Sequence, residues 1–248
     1  MLQQPTLDKL SQMKLHAMAN AWRQQQQEPD VMAMSFEERF GMLVDAEALH
    51  RENRRLSRLL RAAKLRISNA CVEDIQTEAR RGLDKNLIRK LATCGFVQQR
   101  HNIFVTGATG VGKTYIACAL TQNACRKGYK ALYTRMPRLL DELTLARADG
   151  TYPRFLARLA RIDVLVFDDW GVAKLKETHR HDILEILEDR YDQRSTIIAS
   201  QLPLEHWHDY IGDPTIADAV LDRTVHNAYK IELEGPSKRK EKALKTKN

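Results

Sequence analysis

Apolar and polar residues follow two different patterns along this chain, and the change falls near residue 100. Up to residue 66 the apolar positions recur every three or four residues, the period of an α-helix. Leu7, Leu10, Met13 (or Lys14), Ala17 and Ala21 share such a face. That spacing predicts a helix over 6–27, capped by Thr6 after Pro5. Glu28-Pro29-Asp30 breaks the pattern. Ser35 followed by Glu38 has the spacing of a capping box. It opens a second predicted helix over 35–66, amphipathic at first and basic toward its end. Residues 67–99 read as a connector with a short helix over 83–92 that stops near Gly95.

Beyond residue 100 the apolar residues gather into short runs, 102–107, 131–136, 163–169, 195–201 and 229–235, which predict strands. Helical segments lie between them. One covers 113–127 and ends at Gly128, a good C-cap; another covers 137–148 and begins with Pro137. In the segment 181–191, Ile183, Leu184, Leu187 and Tyr191 share one face. Alternation of this kind predicts an α/β fold with a five-stranded, mostly parallel sheet covered on both faces. A small all-helical domain precedes it. The expected division is 1–66, 67–235 and a lysine-rich tail, 236–248, too poor in apolar residues to fold alone.

Hydrophobic residues make up 43% of the chain, yet no run approaches the ~20 that span a bilayer. The N-terminus lacks the charged-then-apolar start of a signal peptide. Cys71, Cys94, Cys118 and Cys125 show no CxxC spacing and read as buried thiols of a reducing compartment. A cytoplasmic protein without a membrane partner is therefore expected. The net charge is +8, but residues 51–66 carry +6 and residues 238–247 carry +5, leaving the rest near −3. Charge so localised fits a polyanionic partner, nucleic acid first and an anionic membrane surface second. Few large apolar residues accompany the charges, which weakens the second. Arg51, Arg54, Arg55, Arg58 and Arg61, with Lys64 beyond them, form a stripe able to track phosphates. Arg138, Arg147, Arg154, Arg158 and Arg161 form a second basic set, from which Arg147 and Arg154 are candidate DNA contacts. No helix-turn-helix or zinc pattern accompanies them, so base reading is not expected. His179, His181, His206 and His208 pair two residues apart, which does not place two ligands on one helix face.

The chemistry is carried by Gly107-Ala108-Thr109-Gly110-Val111-Gly112-Lys113-Thr114, a full GxxxxGK[ST] match between a predicted strand and a predicted helix. Its glycines let backbone N–H groups converge on phosphates, and the start of the helix adds its field. Lys113 can reach the β- and γ-phosphates of ATP, and Thr114 can ligate Mg²⁺. The run DVLVFDD buries a strand and releases Asp168 and Asp169 at its C-terminal end, where open α/β sheets bind ligands. Asp168 is expected to hold Mg²⁺ through water. Asp169 is expected to orient or deprotonate the attacking water, a role more often filled by glutamate. STIIASQLP is expected to lie between these two strands, placing Ser200 and Gln201 near the γ-phosphate.

GATGVGKTYIACAL, DVLVFDDWG and STIIASQLP, behind TLDKLSQMKLHAMANAW, closely resemble the IstB-type ATPases, transposition helpers of bacterial insertion sequences. That family is related to the DnaC helicase loaders and, more distantly, to DnaA, within the AAA+ class of P-loop NTPases. The resemblance implies ATP-dependent assembly of copies of the chain on double-stranded DNA, beside a cognate transposase. It puts Walker A on Gly107–Thr114, Walker B on Asp168 and Asp169, sensor 1 on Gln201 (or Ser200), and an arginine finger acting in trans on Arg223. It also implies that 137–161 form a DNA-touching helical element. Asp169 in place of glutamate departs from the general pattern. So does the short stretch after the last predicted strand, which leaves a lid-borne sensor 2 arginine unassigned. A DnaC-like replicative helicase loader is the alternative; a small-molecule kinase is a more distant rival.

Overall fold

The five apolar runs become five parallel strands in one sheet. β1 is Asn102–Gly107, β2 Ala131–Arg135, β3 Val164–Trp170, β4 Ser195–Ser200 and β5 Ala228–Leu233. Their spatial order is β2-β3-β4-β1-β5. β4 therefore lies between β1 and β3, as expected, with Thr106 beside Ser200 in the ladder. The computed structural model describes residues 3–77 and 82–238. The part of the expected tail beyond residue 238 lies outside the described residues. Contacts divide the chain into units 1–58 and 59–248, an earlier boundary than the expected 66.

In the first unit the predicted helix over 6–27 is two helices, α1 (Gln3–Gln12) and α2 (His16–Gln25). Lys14 takes φ +61° and breaks it. Apolar spacing could not reveal this, because it resumes on the far side. Thr6 is no cap: α1 begins at Gln3, so Pro5 and Thr6 fall inside the first turn. Pro29 does more than interrupt, since it opens the short helix α3 (Pro29–Met32), where its missing N–H costs nothing. The capping box is present: Glu38 N donates to Ser35 Oγ at 3.3 Å and Ser35 N to Glu38 Oε2 at 2.9 Å. It starts α4 (Phe36–Ala63), whose last turn belongs to the second unit. Buried Glu47 accepts from Ala17 N (3.0 Å) and Met18 N (3.2 Å), joining α4 to the start of α2. A carboxylate there also suits the positive end of the helix.

In the second unit the connector holds α5 (Lys85–Ala92) and α6 (Gly95–Gln98). Asp84 caps α5 through Asn86 N at 2.8 Å. α5 stops just before Gly95, as expected; Cys94, at φ +60°, turns the chain there and Gly95 starts α6. α7 (Lys113–Arg126), α8 (Met136–Ala148), α9 (Tyr152–Ala160), α10 (Glu177–Arg190), α11 (Trp207–Ile211) and α12 (Pro214–Val225) link the strands. Ile183 and Leu187 of α10 are buried, but Tyr191 is 47% exposed because the helix ends before it; Ile186 takes the core position. Phe104, Phe167, Trp170 and Trp207 fill the core, Trp170 and Trp207 with ring centroids 5.0 Å apart.

Arg190 is 1% exposed. Its guanidinium donates to Leu159 O and Ile162 O at 2.8 Å, to Thr196 Oγ1 at 3.0 Å, and to Ser195 O. It thus ties α9, α10 and β4 together. Removing it leaves these acceptors buried without their donor. Arg190→Ala is expected to lower stability by about 3 kcal/mol, read as a Tm about 6–12 °C lower. An unchanged melting curve would show that the network holds nothing.

Candidate nucleotide-binding site

Every glycine of the loop after β1 has a positive φ: Gly107 +137°, Gly110 +88° and Gly112 +114°. Other residues rarely adopt this conformation. At Gly107 a side chain is also excluded by space, since a Cβ would stand 2.2 Å from Leu233 O. Gly112 has no neighbour within 4 Å, so its requirement is purely conformational. The loop delivers the chain to the first turn of α7, where backbone donors lack intrahelical partners and favour an anion. Lys113, 8% exposed, bends its ammonium back onto Gly107 O and Ala108 O, each 2.7 Å away.

A cavity of about 610 Å³ opens over this loop, and Lys113, Thr114, Asp168, Asp169 and Gln201 line it. That volume is within the range of small-ligand sites. Asp168 is 1% exposed. Its Oδ2 accepts from Thr114 Oγ1 at 2.8 Å and Tyr133 Oη at 2.6 Å, and its Oδ1 from Asp169 N at 2.9 Å. Burial, aided by the bond to Asp168, pushes the Tyr133 phenol well above its ordinary range. Tyr133 therefore stays a donor. One hydroxyl and one carboxylate, beside a loop built for phosphates, suit a small hard cation such as Mg²⁺ that keeps most of its own water.

β3 does not end at Asp169, as expected, but continues to Trp170 through a register shift between Phe167 and Trp170. Asp169 takes φ +58° within that irregularity. Its Oδ2 accepts from Arg135 Nε at 2.6 Å, with Arg66 Nη1 at 4.0 Å. Tyr133, Arg135 and Arg66 were not singled out in the sequence. The first two follow from pairing β2 with β3, which sets Arg135 beside Asp168. Ser200 and Gln201 bond in different places. Ser200 Oγ is buried, donates to Trp170 O at 2.9 Å and accepts from Leu202 N at 2.9 Å, so it braces the turn. Gln201 Oε1 accepts from Thr109 Oγ1 at 2.7 Å and lies on the loop.

Arg223, on α12, is outside the lining of this cavity. It pairs with Glu188 of α10 and donates to Ala219 O at 3.0 Å. Arg54, Arg55, Arg58, Arg61 and Lys64 are exposed along and just after α4, and Arg51 is paired with Glu47 at 2.9 Å. Arg154 is exposed on α9. Arg147 donates to the buried Asp182 (Nε to Oδ1, 3.0 Å) and lies 3.7 Å over the Tyr152 ring, so it braces α8 against α10. Arg138 pairs with Glu142 at 2.9 Å. Among the described residues no helix is long and apolar enough to cross a membrane.

Residues 8–246 match the family described as IstB-like ATP binding protein. The chain is 46% identical to a putative insertion sequence ATP-binding protein of Sinorhizobium fredii, over 99% of this chain and 100% of that one. It is 50% identical to a putative ATP-binding protein of an insertion sequence from Pseudomonas fluorescens, over 82% and 88% respectively. The crystal structure of the DnaC helicase loader superposes with a TM-score of 0.55 at 20% identity, over 67% of this chain and 97% of that one. The fold is that of the AAA+ P-loop NTPases.

Proposed function

The chain belongs to the IstB-like ATP binding proteins, and from that premise we propose that it is an ATPase that assembles on duplex DNA and helps a cognate transposase use its target. The observation that carries the ATPase reading is the 2.8 Å bond from Thr114 Oγ1 to Asp168 Oδ2 beside Lys113. It joins the phosphate loop to the acidic strand in one cavity. The names of the relatives support the link to insertion sequences. The rival, a replicative helicase loader, has on its side a likeness of fold at 20% identity.

In this reading the loop N–H groups and Lys113 bind the triphosphate of ATP. Thr114 and Asp168 would hold Mg²⁺, which would neutralise charge on the phosphates. Gln201, kept at the loop by Thr109, positions the attacking water. Asp169 orients that water or takes its proton, and Arg135 fixes where its carboxylate points. Arg54, Arg55, Arg58, Arg61 and Arg154 face DNA phosphates without reading bases. Arg223 serves the site of a neighbouring copy, so the Glu188 pair must open on assembly.

Arg223→Ala is expected to bind ATP within about threefold of wild type while DNA-stimulated hydrolysis falls about 10²–10³-fold. Phosphate release measured across protein concentrations checks this; normal turnover would return Arg223 to a structural role. Electron microscopy with duplex DNA and a slowly hydrolysed ATP analogue tests assembly. Ordered particles that need both components are expected, and their absence would remove the assembly reading.

A further inference from the structure

Beyond β5 the chain returns to the phosphate-binding loop. Gly235, at φ +99°, bends it away from the sheet. Pro236, Ser237 and Lys238 then pass over the middle of the loop, where Lys238 N donates to Gly110 O at 3.0 Å. Ser237 sits where a side chain on Gly110 would be, since a Cβ there would fall 2.1 Å from its Oγ. Gly110 occupies a variable position of GxxxxGK[ST], so the motif itself asks for no glycine there. Its φ of +88° and the seat of Ser237 do. The start of the expected tail is thus packed on the loop.

Lys238 lines the 610 Å³ cavity. Its Nζ is 3.2 Å from Oε1 of Gln76, a connector side chain that lines the same cavity. Lysines of a polar tail normally extend into water. This one is half-buried on the wall of a site that already holds Lys113.

We propose that Lys238 is a nucleotide-binding residue, its ammonium taking a phosphate oxygen of the nucleotide bound in this cavity. This rests on the ATP-binding reading above. An ammonium has three donors, so Lys238 can keep Gln76 while giving another hydrogen to phosphate. Such a charge-assisted bond is among the stronger polar contacts, more so where the site is partly shielded from water. The backbone bond to Gly110 does not depend on the side chain. Substitution at 238 therefore changes the charge and leaves the segment anchored.

Calorimetric titration of the full chain with Mg²⁺–ATP and with AMP tests the proposal. Lys238→Met keeps most of the stem and removes the charge; it is expected to weaken ATP binding about tenfold and AMP binding less. Lys238→Arg is expected to stay within about threefold for ATP. Wild-type-like affinity in the Met variant, or equal losses in both variants, overturns the role of Lys238 while the ATP site stands. A wild-type chain without affinity for ATP removes both.

Discussion

Lys113→Ala is expected to raise the Kd for Mg²⁺–ATP by about 10²–10³-fold and to abolish nucleotide-dependent assembly on DNA. The ammonium now rests on two loop carbonyls at 2.7 Å, in the middle of the phosphate-binding turn. A triphosphate offers it charged acceptors instead of neutral ones, and each such bond contributes about 1.5–3 kcal/mol. Two of them contribute about 3–6 kcal/mol before the carbonyl bonds given up are subtracted, and the 10²–10³-fold change above needs about 2.7–4.1 kcal/mol of that. Titration calorimetry reads the affinity, and sedimentation with duplex DNA reads the assembly. A Kd within threefold of wild type would take Lys113 out of the site.

Asp168→Asn is expected to leave ATP binding within about tenfold and to lower hydrolysis about 10²–10³-fold. Thr114 and Tyr133 both direct hydroxyl hydrogens at Oδ2, and Asp169 N directs one at Oδ1. An amide cannot accept from both sides. Whichever way it turns, its NH₂ faces at least one donor, and the negative charge next to the Mg²⁺ position is lost. Phosphate release at saturating ATP and DNA reads the effect; turnover within threefold of wild type would assign the metal elsewhere.

Much of this site was legible in the sequence because its parts are contiguous. The loop is eight consecutive residues, and the acidic pair ends an apolar run that only a buried strand explains. The five strands lie within one or two residues of their expected bounds, since short apolar-rich runs between helical segments leave few other readings. What escaped depends on neighbours distant in sequence. Tyr133 and Arg135 reach the acidic pair because β2 lies beside β3 in register. Strand order is set by crossovers, which no local pattern encodes. Ser200 and Gln201 are adjacent polar residues at a strand end, with Gln201 preferred only by resemblance. β4 ends at Ser200, so the two side chains part there, Ser200 donating to Trp170 O and Gln201 accepting from Thr109 Oγ1. For Arg147 the sequence leaves a structural and a DNA-facing reading equally open, because its partner, Asp182, lies 35 residues away. Lys238 was hidden in a tail whose composition gives no reason to pack. Its anchor is a backbone bond to Gly110, which composition cannot report.

The reading rests on one physical event, the capture of a nucleotide triphosphate between the amides ahead of Lys113 and the Thr114–Asp168 pair. Titration calorimetry of the wild-type chain with ATP, with and without Mg²⁺, measures it directly. Saturable binding with a Kd of about 1–100 μM, tighter with Mg²⁺ than without, is the predicted result. No heat of binding under either condition, with or without duplex DNA, would contradict it.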